Sequence, residues 1–216
     1  MAPKQGAMMA TGLTPYQFRF CPASYIHSDH LPPEWLSVLS SLPEWRSSPR
    51  INRLLLTQFD LNVDYELPTR LGNIALLKQS YLEQILTWLG ALLHGQAIRH
   101  CLLATELRHL HDSLGREGHR FCLKYLDIII GNWPPSWQRP LPPTITANYF
   151  RTSALQFWLM AISPLPADFV KCLNLRLPLH ENLPDWPVNQ TERPLAQALC
   201  LKLAKQVNIE CYLLLK

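Results

Sequence analysis

The sequence predicts an all-α fold, a mainly helical body with at most one short strand near the N-terminus. Three observations predict it. Apolar residues recur at steps of three and four through most of the chain, the period of a helix with one buried stripe. Most of the 19 prolines fall between those stretches or in their first turns, where no intrahelical donor is lost. A hydrophobic content of 48% against 17% charged residues describes a chain with a large core, long enough at 216 residues to bury it.

The elements follow in order. Residues 1–15 are small and polar, with a basic Lys4, and are expected to form a flexible leader before a single domain covering 16–216. Tyr16, Phe18 and Phe20 alternate with polar neighbours, the pattern of a short strand or extended arm. "SDHLPPEWLSVLSSL" predicts a helix with Pro32 or Pro33 in its first turn and Trp35, Leu36, Leu39 and Leu42 on one side. In "SSPRINRLLLTQF", Ser48 is a predicted N-cap and Pro49 the first helical residue. An acidic loop carrying Asp60, Asp64 and Glu66 follows.

The longest helical stripe begins near Lys78 and includes Leu82, Ile85, Leu86, Leu89, Leu92 and Leu93. "HGQ" at 94–96 interrupts it. Helices are then predicted over 96–103, over 105–114 with Thr105 as cap and Gly115 as stop, and over 116–130. "ANYFRTSALQFWLMAI" places Phe150, Ala154, Phe157, Trp158 and Ala161 in register, and "PADFVKCL" makes a short helix. A last helix opens at Thr191, with Leu195, Leu199, Leu203 and Val207 stepping by four.

Between these elements lies "GNWPPSWQRPLPPT", residues 131–144. Its "RPLPP" has the composition of a polyproline ligand for an aromatic groove. However, flexible linkers are built from glycine, serine and charge, whereas Trp133 and Trp137 stand four apart among prolines. Tryptophan is costly to leave in water. The segment therefore reads as a rigid strap on the helical body, and Trp186-Pro187 repeats the pairing before the last helix.

Several chemistries are weighed on the residues. Six cysteines without a Cys-x-x-Cys point to reduced thiols rather than a disulfide framework. No long apolar run is present, so a soluble intracellular protein is expected. His109, His111, His119 and Cys122 have zinc-ligand chemistry if helices 105–114 and 116–130 form a hairpin. Residues 109 and 111 of one helix nevertheless point about 200° apart, and wetted surface histidines are the plainer reading. His100-Cys101 suggests a thiol and a base, but neighbours in a helix do not face each other. A metal-dependent or thiol enzyme built on the His-rich stretch 94–124 is thus the alternative to a binding protein. Phosphate loops, dinucleotide fingerprints and nucleophile elbows are missing, and no catalytic residue, cofactor or metal is expected. Arg99, Arg108, Arg116, Arg120 and Lys124 form a basic stretch diluted by Glu106, Asp112 and Glu117. A net charge of +4 is thin for a nucleic-acid binder, and an acidic protein partner suits the stretch better. Arg116, Arg120 and Lys124 are the candidate basic contact, and Asp60, Asp64 and Glu66 the candidate acidic one, against solvated surface as the bland reading.

Longer strings carry a resemblance. "FRFCPASYIH", "LPEWR", "LHGQAIRHCLLA", "GNWPPSWQRPLP", "LRLPL" and "RPLAQALCLKLAKQV" resemble the SctK class, the YscK-type subunit of the type III secretion sorting platform, from about residue 16 to the C-terminus. The resemblance implies a predominantly helical, cytoplasmic bacterial adaptor at the cytoplasmic face of the secretion apparatus, without catalytic residues. It further implies two partners, the cytoplasmic domain of the inner-membrane ring protein (SctD class) and the pod protein (SctQ class), with no nucleic acid and no direct membrane insertion.

Overall fold

A computed structural model describes residues 10–179 and 186–216. Their regular structure is helical: α1 (Pro15–Phe20), α2 (Pro33–Ser40), α3 (Pro49–Gln58), α4 (Gln79–Leu93), α5 (Gly95–Arg99), α6 (Ala104–Tyr125), α7 (Ala147–Ile162), α8 (Ala167–Asn174), α9 (Arg193–Val207) and α10 (Ile209–Leu215), with short 3-10 turns between them. The fold is all-α, as the periodicity predicts. Among the described residues the only β pairing is one isolated bridge, Thr11 to Leu77.

α4 is the central element because most of its circumference is apolar. Leu82, Ile85, Leu86, Leu89, Ala91, Leu92 and Leu93 are all fully buried, and α4 packs on α6, α7 and α9. A helix hydrophobic nearly all round belongs inside. At Gly90 the backbone of α7 comes so close that a Cβ would overlap the Phe150 carbonyl. From α7, Phe150, Ala154, Phe157, Trp158 and Ala161 are buried, in the predicted register.

The strap completes the end of α4. The break at His94 leaves the last carbonyls of α4 and the first amides of α5 without intrahelical partners. Gln138 supplies both kinds at once: Nε2 donates to the Leu92 carbonyl at 2.8 Å, and Oε1 accepts from the Gln96 amide at 3.0 Å. The Arg139 amide donates to the Leu93 carbonyl at 3.1 Å. Trp137 is fully buried, edge-on to Phe157 with ring centroids 4.8 Å apart. Trp133 is half-buried and donates Nε1–H to the Leu126 carbonyl at 2.6 Å.

His94 lies at the centre of this junction, fully buried. Its Nδ1 is 2.8 Å from the Pro140 carbonyl and 3.1 Å from that of Arg139. Two acceptors facing Nδ1 place the proton there. Burial holds the imidazole pKa below its ordinary value despite those carbonyls. The Phe150 and Trp186 rings stand edge-on to it at 5.7 and 5.8 Å, and the Arg139 guanidinium lies 4.4 Å over Trp186. Both Trp-Pro segments therefore converge on the α4–α5 break.

Several boundaries differ from expectation. Tyr16–Phe20 is helix, not strand: Thr14 and Gln17 form a reciprocal capping box and Pro15 starts α1. Ala10 and Leu13 are buried and the Gly12 amide donates to the Leu76 carbonyl, so the packed chain begins by residue 10, inside the expected leader. The helix expected over 96–103 ends at Arg99. Thr105 lies within α6, whose N-cap is Leu103, and α6 ends at Tyr125 rather than 130. Gly115 breaks α6 as predicted, at φ 70°, a backbone state that glycine adopts without strain. Leu42, expected on the apolar side of its helix, is exposed. α9 starts at Arg193 with Pro194 in its first turn, and α10 follows it without having been anticipated.

Two outcomes are expected. Trp137→Ala lowers the unfolding free energy in urea by about 3–5 kcal/mol, and Trp133→Ala by distinctly less; equal small losses would mean the strap is not core. Folded His94 resists the proton that an unfolded histidine takes up below about pH 6.5. Stability contributed by His94 is therefore complete above that pH and is lost as pH falls through it, at no more than about 1.4 kcal/mol per pH unit. His94→Gln should flatten the pH dependence of the urea midpoint between about pH 6.5 and 5.

Candidate partner-binding surfaces

The second half of α6 is pinned from the inside, and this sets what faces out. Phe121 stacks on Trp88 at 4.2 Å and on Tyr125 at 4.5 Å. Leu114, Gly118, Phe121 and Cys122 are buried. Arg116, Arg120 and Lys124, four residues apart, are consequently aligned on one exposed row. None of the three is in an ion pair with a described residue; Lys124 Nζ lies 5.0 Å over the Tyr125 ring. Like charges at this spacing repel by about 0.2–0.5 kcal/mol per pair on a helix surface. An acidic partner would relieve that repulsion. Exposed Leu123 and Ile128 border the row, giving the mixed basic and apolar character of interface surface. Arg99, by contrast, is already paired with Asp127 at 2.6 Å.

The acidic loop is held from both sides. The Arg19 guanidinium donates to the Tyr65 carbonyl at 3.0 Å, and Asn62 caps the Asp64 amide. Burial raises the Tyr65 hydroxyl pKa well above its ordinary value. Asp60, at φ 47°, offers its carbonyl to Lys171 at 3.0 Å, while its exposed carboxylate stands 4.0 Å from the same ammonium. Such an exposed contact contributes little. Asp64 and Glu66 are exposed and unpaired among the described residues.

The histidine-rich stretch divides. The turn at Gly115 folds the two halves of α6 together, bringing His111 Nε2 to 3.1 Å from His119 Nδ1. One ring donates and the other accepts, and burial and the neighbouring His111 hold the His119 pKa down. His109 is exposed on a separate cleft of about 340 Å³ with Cys101 and Glu106. Cys122 is buried, its Sγ–H directed at the Ala91 carbonyl, and burial pushes its thiol up to about 12. Among the described residues no three histidine, cysteine or acidic side chains are grouped to hold a metal. His100 Nδ1 and Cys101 Sγ each bond the carbonyl four residues back, at Gln96 and Ala97, so they do not form a dyad. Burial and Glu106 raise the Cys101 thiol, disfavouring the thiolate a nucleophile requires.

One cluster lacks a clear sequence signal. Arg176, within the apolar run "LNLRLPL", is 2% exposed and donates to the Ala75 and Leu77 carbonyls and to Gln79 Oε1. Only the oddity of a guanidinium amid leucines hinted at it.

No helix among the described residues is long and apolar enough to cross a membrane. Residues 12–216 match the family described as YOP proteins translocation protein K (YscK). The Yop proteins translocation protein K of Yersinia pseudotuberculosis serotype I (strain IP32953) and that of Yersinia enterocolitica are each 46% identical over 209 residues, 97% of this chain and 100% of theirs. A solved structure, the cytoplasmic domain of the T3SS sorting platform protein PscK from P. aeruginosa, superposes with a TM-score of 0.77 at 44% identity, over 94% of this chain and 99% of that one. The chain belongs to the YscK family, the SctK-type proteins of type III secretion.

Proposed function

We propose that this protein is a non-enzymatic adaptor of a type III secretion sorting platform, linking the cytoplasmic domain of the inner-membrane ring protein (SctD class) to the pod protein (SctQ class) at the cytoplasmic face of the apparatus. Its relatives supply the assembly, since one is described as a sorting platform protein. The observation that carries the adaptor reading is the aligned, exposed and unpaired row Arg116, Arg120 and Lys124. A rigid row of one sign attracts a partner of the other and orients it. The loop bearing Asp60, Asp64 and Glu66 offers the opposite charge for a second contact. Residues 16–216, together with the packed stretch from Ala10, act as one domain on this reading, with the strap as an internal brace.

The charge-reversed variant Arg116→Glu/Arg120→Glu/Lys124→Glu should keep its fold by circular dichroism. It should lose at least about tenfold affinity, roughly 1.4 kcal/mol, for the ring protein's cytoplasmic domain or the pod protein. Unchanged affinity for both would overturn the assignment. Limited proteolysis should leave 133–143 uncut while the remainder stays intact, whereas rapid cleavage there into two stable halves would mean two domains joined by a linker.

A further inference from the structure

α4 carries a polar stripe formed by Gln79, Glu83 and Thr87 at four-residue steps, with Ser80 and Gln84 beside it. Two clefts open along it. The first, of about 430 Å³, is walled by Arg46 and Arg176 and reaches Glu83. The second, of about 410 Å³, runs from Glu83 past Thr87 to Arg151 and the Gly115 turn of α6. Glu83 is common to both linings, so the two clefts meet at its side chain and together follow the α4 stripe. Eight residues of helix measure about 12 Å, the length of about four extended residues of another chain.

The charge in this groove is unbalanced. Glu83 is committed: Oε2 pairs with Arg151 Nη2 at 3.1 Å and Oε1 accepts from Gln79 Nε2 at 2.9 Å. Arg151 is further tied to the Thr87 hydroxyl at 3.2 Å. Arg46 and Arg176 have no carboxylate partner among the described residues. Arg46 Nη1 donates to the Ala23 and Ile26 carbonyls while its guanidinium lies 4.4 Å over the Trp45 ring. Its remaining donors are unused. Arg176 is almost wholly buried with only carbonyl and amide oxygens as acceptors, and its Nε has no partner at all. Desolvation holds its pKa down, at about 10, against the opposing pull of the Glu83 carboxylate, which lies near but does not touch it. A guanidinium kept in this state is short of one anion.

We infer that this groove is a docking site for a short extended acidic segment of a protein partner, with a partner carboxylate seated between Arg46 and Arg176. Two adjoining clefts with two arginines that no carboxylate contacts suit a peptide bearing at least one acidic side chain better than a lone small anion, which would fill only the first cleft. The fixed Glu83–Arg151 pair lies midway and presents no net charge to the chain passing over it. This site does not depend on the basic row of α6, although its far end reaches Gly115, one residue before Arg116.

The probe is the peptide acetyl-Glu-Asp-Glu-Asp-amide, with its Gln-Asn-Gln-Asn counterpart and sodium succinate as controls, all at one ionic strength. Arginine side-chain Nε–H resonances of the full-length protein are followed by nuclear magnetic resonance. The acidic peptide is expected to shift the Arg46 and Arg176 signals saturably, the neutral peptide not at all, and succinate far more weakly. Arg46→Gln should weaken peptide binding at least about tenfold, while the triple reversal at Arg116, Arg120 and Lys124 leaves it in place. Because the mapping is done on the unaltered chain, it stands even if an Arg176 variant does not fold. No shift of Arg46 or Arg176, equal shifts with the neutral peptide, equal binding of succinate, or loss of binding only in the triple variant would each overturn the inference.

Discussion

The structure depends on how a broken helix is completed. α4 cannot continue into α5 past His94, and the carbonyls of Leu92 and Leu93 would otherwise point into a dry interior. Buried unpaired backbone groups cost more than the mean hydrogen bond contributes, so the break is tolerable only because Gln138 and Arg139 meet it. That requirement fixes the path of the strap. The strap in turn fixes Trp137 against Phe157, and Trp186 completes the enclosure of His94.

From this junction the geometry of the candidate surfaces follows. α4 holds Trp88 against Phe121, which settles the rotation of the second half of α6 and hence the outward row of Arg116, Arg120 and Lys124. The adjoining face of the same helix carries the Gln79–Glu83–Thr87 stripe, and Trp88 lines a cleft with Glu83 and Thr87. A single apolar helix thus orients both charged features, one through the helix packed on it and one directly. Rigid presentation of charge is what distinguishes a specific surface from a merely basic one.

The legible part of the fold was the part encoded locally. Leu82 to Leu93 and Phe150 to Ala161 carry their period in the sequence, and both stripes are buried in the predicted register. At Tyr16–Phe20 two local signals competed, aromatic alternation and a Thr14-Pro15-x-Gln17 cap. The cap prevails because it satisfies two orphan amides with no tertiary help. The premature end of α5 and the buried role of His94 were not legible. The role of His94 arises from its contacts with Arg139 and Pro140, more than forty positions away, and no local period reports such pairs. The tryptophan-proline composition marked the strap as apolar and stiff but gave no indication of where it docks. Arg116, Arg120 and Lys124 were readable because four-residue spacing is a helical statement. Arg46 and Arg176 were not, because 130 residues separate the two arginines that line one cleft.

The position of the strap also bears on synthesis from the ribosome. α4 is complete when residue 93 has been made, yet the groups that finish its end lie at 138–140 and the aromatic cover over His94 arrives only with residue 186. Until then a nascent chain carries a leucine-rich helix whose His94 end and whose α9-facing side are uncovered, and such exposed surface is prone to aggregate. The protein must therefore close only once Trp186 has been made, and fragments ending before Trp186 will be sticky rather than merely incomplete.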